Sequence, residues 1–130
     1  MKAALLMDNK CIVDIADMKA SNSGGTLVTY ALGSCLGVAV FDPVIKTGAL
    51  MHIMLPDSRL DSNKAKAKPF MFADTGLMLT LRKLRDMGCE KRRLTVKVAG
   101  GANIIDPKGT FDIGKRNLLA IKKLLWKHNL

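Results

Sequence analysis

The stretch Leu36–Pro56, LGVAVFDPVIKTGALMHIMLP, holds two apolar runs: Leu36–Phe41, closed by Asp42-Pro43, and Gly48–Leu55, closed by Pro56. Both runs are short, rich in strand-forming residues and bounded by turn formers, so they read as neighbouring β-strands. An antiparallel hairpin is the simplest way to join them.

Working outward, Ile12–Met18 (IVDIADM) reads as a strand and Ser21–Gly25 as a Ser/Asn/Gly turn. Thr26–Leu32 is β-branched and apolar and runs into Gly33, which suggests a strand entering a tight bend. Downstream, Ser58–Lys68 is polar, lysine-rich and without apolar periodicity, the pattern of a mobile surface loop. Leu77, Leu81 and Leu84 recur at helical spacing within Phe70–Met87, with Arg82, Lys83 and Arg85 on the other face and Gly88 as the stop. Leu94–Val98 alternates as a strand and leads into Gly100-Gly101, Asp106–Gly109 is a turn carrying Pro107, and Lys115–Lys127 is a helix with Leu118, Ile121, Leu124 and Leu125 on one face. Strands and helices interleave without a regular βαβ repeat. The expected class is α+β, a single-domain sandwich of mainly antiparallel strands with flanking helices.

At 130 residues and 48% hydrophobic content the chain can bury a core but is short for two domains, so 1–130 reads as one. No stretch approaches the roughly 20 apolar residues of a membrane-spanning helix, and Ala3–Met7 is too short for a secretory signal. Cys11, Cys35 and Cys89 cannot all pair within the chain and lack the spacing of a zinc site, so reduced thiols in a cytoplasm are expected, with no metal. A net charge of +10 favours an acidic partner, but the basic residues are scattered and the aromatic content is 5%, which argues against nucleic acid.

Cys35 stands in Leu32-Gly33-Ser34-Cys35-Leu36-Gly37, where one apolar run bends into the next. A lone cysteine in a strand is ordinarily a small hydrophobe. The flanking glycines change that reading, because a bend there can aim successive N–H groups, those near Gly33, Ser34 and Cys35, at one oxyanion. His52 lies inside an apolar strand, where an imidazole needs a partner. A Cys and a His at the inner ends of neighbouring strands can bond, which would lower the thiol pKa and make the thiolate the nucleophile. Thr29, just before the bend, has a hydroxyl able to orient the imidazole. Cys11 and Cys89 read as packing or incidental thiols and His128 as an exposed, inert side chain, while Gly100-Gly101 reads equally well as part of the site or as a plain turn.

These residues together resemble a known family. Thr29-Tyr30-Ala31-Leu32-Gly33-Ser34-Cys35, then Asp42-Pro43, then His52-Ile53-Met54-Leu55-Pro56, is similar to the signature of the CheD family of chemoreceptor glutamine deamidases. The resemblance continues through Phe72-Ala73-Asp74, Gly100-Gly101-Ala102 and Ile113-Gly114-Lys115-Arg116-Asn117, in order, over most of the chain. It implies that Cys35, His52 and Thr29 match the family's catalytic cysteine, histidine and threonine. It also implies a fold related to deamidating bacterial toxins, substrates that are glutamine side chains on methyl-accepting chemotaxis receptors, and a CheC-type phosphatase as partner. No metal or organic cofactor is implied. Tyr30, Gly100 and Gly101 become candidate substrate or partner contacts. Family members usually continue past the last helix into a further strand, whereas this chain stops at Leu130, so the expectation includes a domain lacking that strand. The alternative function is a non-catalytic regulator that binds a CheC-type phosphatase through the same groove.

Overall fold

The structure is a computed structural model, and it describes residues 9–103 and 112–130. Its centre is the hairpin read from the sequence: β4 (Leu36–Asp42) pairs antiparallel with β5 (Thr47–Ile53), from Leu36 opposite Ile53 to Asp42 opposite Thr47. β2 (Asp17–Ser21) joins the free edge of β5 and β6 (Thr95–Gly100) that of β4, both antiparallel, giving the order β2-β5-β4-β6. A second, two-stranded parallel sheet pairs β1 (Lys10–Ile12) with β3 (Thr26–Val28).

Strand alternation decides which face is the core. Leu36, Val38 and Val40 of β4 and Ala49, Met51 and Ile53 of β5 are buried in one cluster. Against it pack α2 (Ala73–Asp86), through Ala73, Leu77 and Leu84, and α3 (Ile113–Lys127), through Ile121. The class is α+β with a mainly antiparallel sheet, as the sequence indicated. By the same alternation Gly37, Ala39, Leu50 and His52 face away from the helices.

Three sequence expectations are corrected. Ile12–Met18 is not one strand: it breaks at Ala16, whose φ of 59° turns the chain out of the small sheet, and the Ala16 N–H donates to the His52 carbonyl at 2.9 Å. Thr26–Leu32 is a strand only as far as Val28, because Ala31, at φ 55°, lies in the left-handed region. Ser58–Lys68 is not a loop but a 3-10 turn, Ser58–Leu60, followed by α1 (Ser62–Ala67). The Asp61 carboxylate caps α1 by accepting from the Lys64 N–H at 3.0 Å. No residue of α1 is buried, which is why no apolar period betrayed it. The turn expected at Asp106–Gly109 lies outside the described residues.

Candidate functional site

His52 is the penultimate residue of β5 and is fully buried although it points away from the main core. The segment following β3 covers it. Thr29 Oγ1 lies 2.8 Å from the Val13 carbonyl and 2.8 Å from His52 Nδ1. A hydroxyl has one proton, and a carbonyl can only accept. That proton therefore goes to Val13, so Thr29 must accept from Nδ1–H. The imidazole is thereby fixed as the tautomer whose Nε2 carries the lone pair. Nε2 is buried and has no partner among the described residues. Burial lowers the His52 pKa from its ordinary 6.5, which keeps the ring neutral.

Cys35 occupies the bend just before β4. The ladder pairs Gly37 with His52 and Leu36 with Ile53. Cys35 thus lies one residue beyond the last pair, at the same end of the hairpin as His52. No hydrogen bond joins the thiol to Nε2, and burial pushes the Cys35 pKa up. Burial thus works against the thiolate expected from the sequence.

The bend is held on three sides. The Cys35 N–H donates to the Leu32 carbonyl at 2.7 Å, closing a turn in which Gly33 adopts φ 52°. The Ala102 N–H donates to the Gly33 carbonyl and the Gly101 N–H to the Cys35 carbonyl, each at 2.9 Å. Gly100, at φ 98°, passes so close that a Cβ there would run into the Cys35 carbonyl oxygen. Gly100-Gly101 is therefore part of the site's scaffold rather than a remote turn. The Cys35 amide, expected from the sequence to face an oxyanion, is instead spent on the turn, while the N–H groups of Gly33 and Ser34 have no backbone partner among the described residues. Tyr30, beside Thr29, is 58% exposed. A shallow trough of about 360 Å³, lined by Leu27, Thr29, Leu32, Gly37, Leu50 and Val98 among others, runs along the outer face of the sheet.

Cys11 is exposed, Cys89 is buried in the core cluster, and His128 is half-buried rather than freely exposed. Among the described residues no cluster of His, Cys, Asp or Glu could hold a metal ion, and no helix is long and apolar enough to cross a membrane. Sequence reasoning missed Val13, whose contribution is a backbone carbonyl, and Asn117. Asn117 is fully buried in α3, and its Nδ2 donates to the Ser34 carbonyl at 3.0 Å and the Met54 carbonyl at 2.9 Å. A polar residue one turn before Ile121, on the apolar stripe of the helix, was the signal available.

Fold and site together define an α+β domain built round a thiol, an imidazole and a hydroxyl at the open end of one hairpin. Comparison with known proteins gives that class a family. The family described as CheD chemotactic sensory transduction matches residues 54–130. The probable chemoreceptor glutamine deamidase CheD 1 of Syntrophus aciditrophicus is 51% identical over 120 residues, covering 92% of this chain and 75% of the relative. The probable chemoreceptor glutamine deamidase CheD of Solibacter usitatus is 45% identical over 117 residues, covering 89% of this chain and 69% of the relative. The chain belongs to the CheD family. The matched span 54–130 begins after Thr29, Cys35 and His52.

Proposed function

We propose that this chain converts glutamine side chains on the cytoplasmic domains of chemotaxis receptors to glutamate, with Cys35 as nucleophile, His52 as base and Thr29 orienting the base. The names of its relatives, probable chemoreceptor glutamine deamidases, support the substrate. One observation carries the chemistry: the chain from Val13 O through Thr29 Oγ1 to His52 Nδ1, which leaves Nε2 as a buried lone pair at the end of the hairpin where Cys35 stands.

In this reading the resting pair is a thiol and a neutral imidazole. The glutamine carbonyl enters beside Cys35; Sγ attacks its carbon as Nε2 takes the thiol proton, and the N–H groups of Gly33 and Ser34 face the developing oxyanion. His52 then gives that proton to the amide nitrogen, the C–N bond breaks and ammonia leaves. Water adds to the thioester, losing a proton to Nε2, and the C–S bond breaks as the proton returns to sulfur. The products are glutamate and the starting thiol, and only water is consumed.

The reaction belongs in the cytoplasm, where receptor signalling domains and free thiols coexist. A CheC-type phosphatase is the further partner in this reading, meeting the exposed rim around Tyr30. The test is mass spectrometry of a purified receptor cytoplasmic fragment after incubation with the protein or its Cys35→Ala form. A gain of about one dalton per converted glutamine is expected with the unmodified cysteine only. A fragment that is bound but never changed in mass would replace the enzyme with a docking regulator.

A further inference from the structure

We propose that Asn117 is a positioning residue of the site, setting the reach between Cys35 Sγ and His52 Nε2 by fastening the two strand ends that carry them. The proposal rests on the deamidase reading above. The β4–β5 ladder stops at Leu36 opposite Ile53. Beyond that pair the strands part. The Cys35 N–H turns back to Leu32 O and its carbonyl is taken by Gly101, while the N–H groups of Met54 and Leu55 both donate to Met71 O, at 2.8 and 2.9 Å. No ladder bond therefore holds Cys35 against the His52 strand where the chemistry needs it.

Asn117 supplies the missing connection from a third element. Its single Nδ2 donates both protons, one to the carbonyl preceding Cys35 and one to the Met54 carbonyl on the His52 strand. Those two acceptors also fix the amide's orientation, since only the NH2 end can face two carbonyls. Oδ1 is left buried and without a partner among the described residues. A residue kept only for packing would carry no such orphan, because an apolar side chain of the same size would remove it. Other groups do not reproduce the bridge: a carboxylate would set oxygen against oxygen, and a hydroxyl has one proton for two carbonyls. The helix bearing Asn117 is anchored independently, through Ile121 in the core and through Gly114, packed against the Gly101 and Ala102 carbonyls that flank the bend.

The test reads the reactivity of Cys35 itself and so needs no receptor. Alkylation by iodoacetamide is followed peptide by peptide from pH 5 to 9 in the unmodified protein, Asn117→Ala, Asn117→Asp and His52→Gln, with exposed Cys11 as internal reference. In the unmodified protein His52 is expected to accelerate alkylation at Cys35 about 10-fold at neutral pH, and His52→Gln removes this. Asn117→Ala and Asn117→Asp are expected to lose the same acceleration and to shift the profile toward that of His52→Gln, with Cys11 unaffected. Adding His52→Gln to Asn117→Ala should then cost nothing more. A folded Asn117 variant whose Cys35 profile matches the unmodified protein overturns the proposal and leaves the deamidase reading standing. Failure of both variants to fold, shown by loss of a cooperative melt, overturns it too by making Asn117 a residue of the fold alone. An unchanged profile in His52→Gln overturns both readings at once.

Discussion

The two ends of the β4–β5 hairpin are built on opposite principles. At the closed end Asp42 is fully buried, and its carboxylate accepts from Arg93 Nε at 3.0 Å and NH2 at 2.8 Å, from the Val44 N–H at 3.0 Å and from the Glu90 N–H at 3.2 Å. Arg93 beside it holds the carboxyl below the usual carboxylate range, and the backbone donors add to this. Every lone pair has a use. At the open end two buried polar atoms, His52 Nε2 and Asn117 Oδ1, have no partner among the described residues. A buried polar atom without a partner costs stability, so it persists where something other than stability selects it. One hairpin thus carries a fully paired carboxylate at one end and buried atoms without partners among the described residues at the other.

The sharpest way to break this contrast is Cys35→Ala. Removing a nucleophile that acts as a unit with its base is expected to lower receptor deamidation by roughly three orders of magnitude or more. Thermal unfolding followed by circular dichroism should show a melting temperature equal to or above that of the unmodified protein, since only a half-buried thiol is lost. A large loss of stability would mean that the open end is built for stability as well.

Thr29→Val comes next. It preserves shape but leaves Nδ1–H unpaired, a cost of about 1–3 kcal/mol that frees the tautomer to invert. The expected result is a fall in kcat of roughly 10- to 100-fold, with Thr29→Ser retaining most of the rate. Equal activity of the Val and Ser variants would remove the hydroxyl from the site.

Acid titration separates the two ends by pH window. His52 has a folded pKa below its ordinary 6.5, so the unfolded chain takes up the proton first. The stability this contributes is complete above 6.5 and is lost as the pH falls toward the lower folded value. Asp42 is likewise depressed, from 3.8, so its contribution is lost only as the pH falls below that value toward its own folded pKa. Urea unfolding across pH 3 to 8 should show two shoulders. His52→Gln is expected to remove the upper one, and Asp42→Asn the lower one together with much of the stability at neutral pH. A single shoulder unaffected by His52→Gln would refute the neutral buried imidazole.

The sequence showed the hairpin, α2 and α3 because each repeats an apolar signal over several turns or residues, His52 because an imidazole is out of place in an apolar run, and Cys35 because glycines flank it at a bend. What it concealed depends on contacts between distant positions. The break at Ala16 goes with a bond to the His52 carbonyl, and beyond β3 the chain carries the Thr29 hydroxyl to Val13 and His52 before it turns at Ala31. α1 has a readable cap in Asp61 but no buried face, and Asn117 matters only once Ser34 and Met54 are known to converge on it. Local periodicity reports burial, and none of these features is a burial pattern.

The smallest effect tests whether the cover over His52 is strained for a purpose. Ala31 holds φ 55°, a conformation that costs an L-residue roughly 1–2 kcal/mol and a glycine little. Ala31→Gly relieves that strain but adds freedom to the unfolded chain, leaving a net gain of up to about 1 kcal/mol and a melting temperature higher by a few degrees. The same substitution loosens the link between Thr29 and Leu32, whose side chains lie over Gly37 opposite His52. Activity should therefore fall by about 2- to 5-fold while stability rises, the opposition expected where backbone strain holds a functional group in place. Ala16→Gly, at φ 59° beside the histidine strand, relieves comparable strain while keeping the N–H bond to the His52 carbonyl, and should raise the melting temperature with no loss of rate. If both variants gain stability and both keep full activity, the left-handed residue over the site is an accident of the turn and the open end owes its geometry to Thr29 and Asn117 alone.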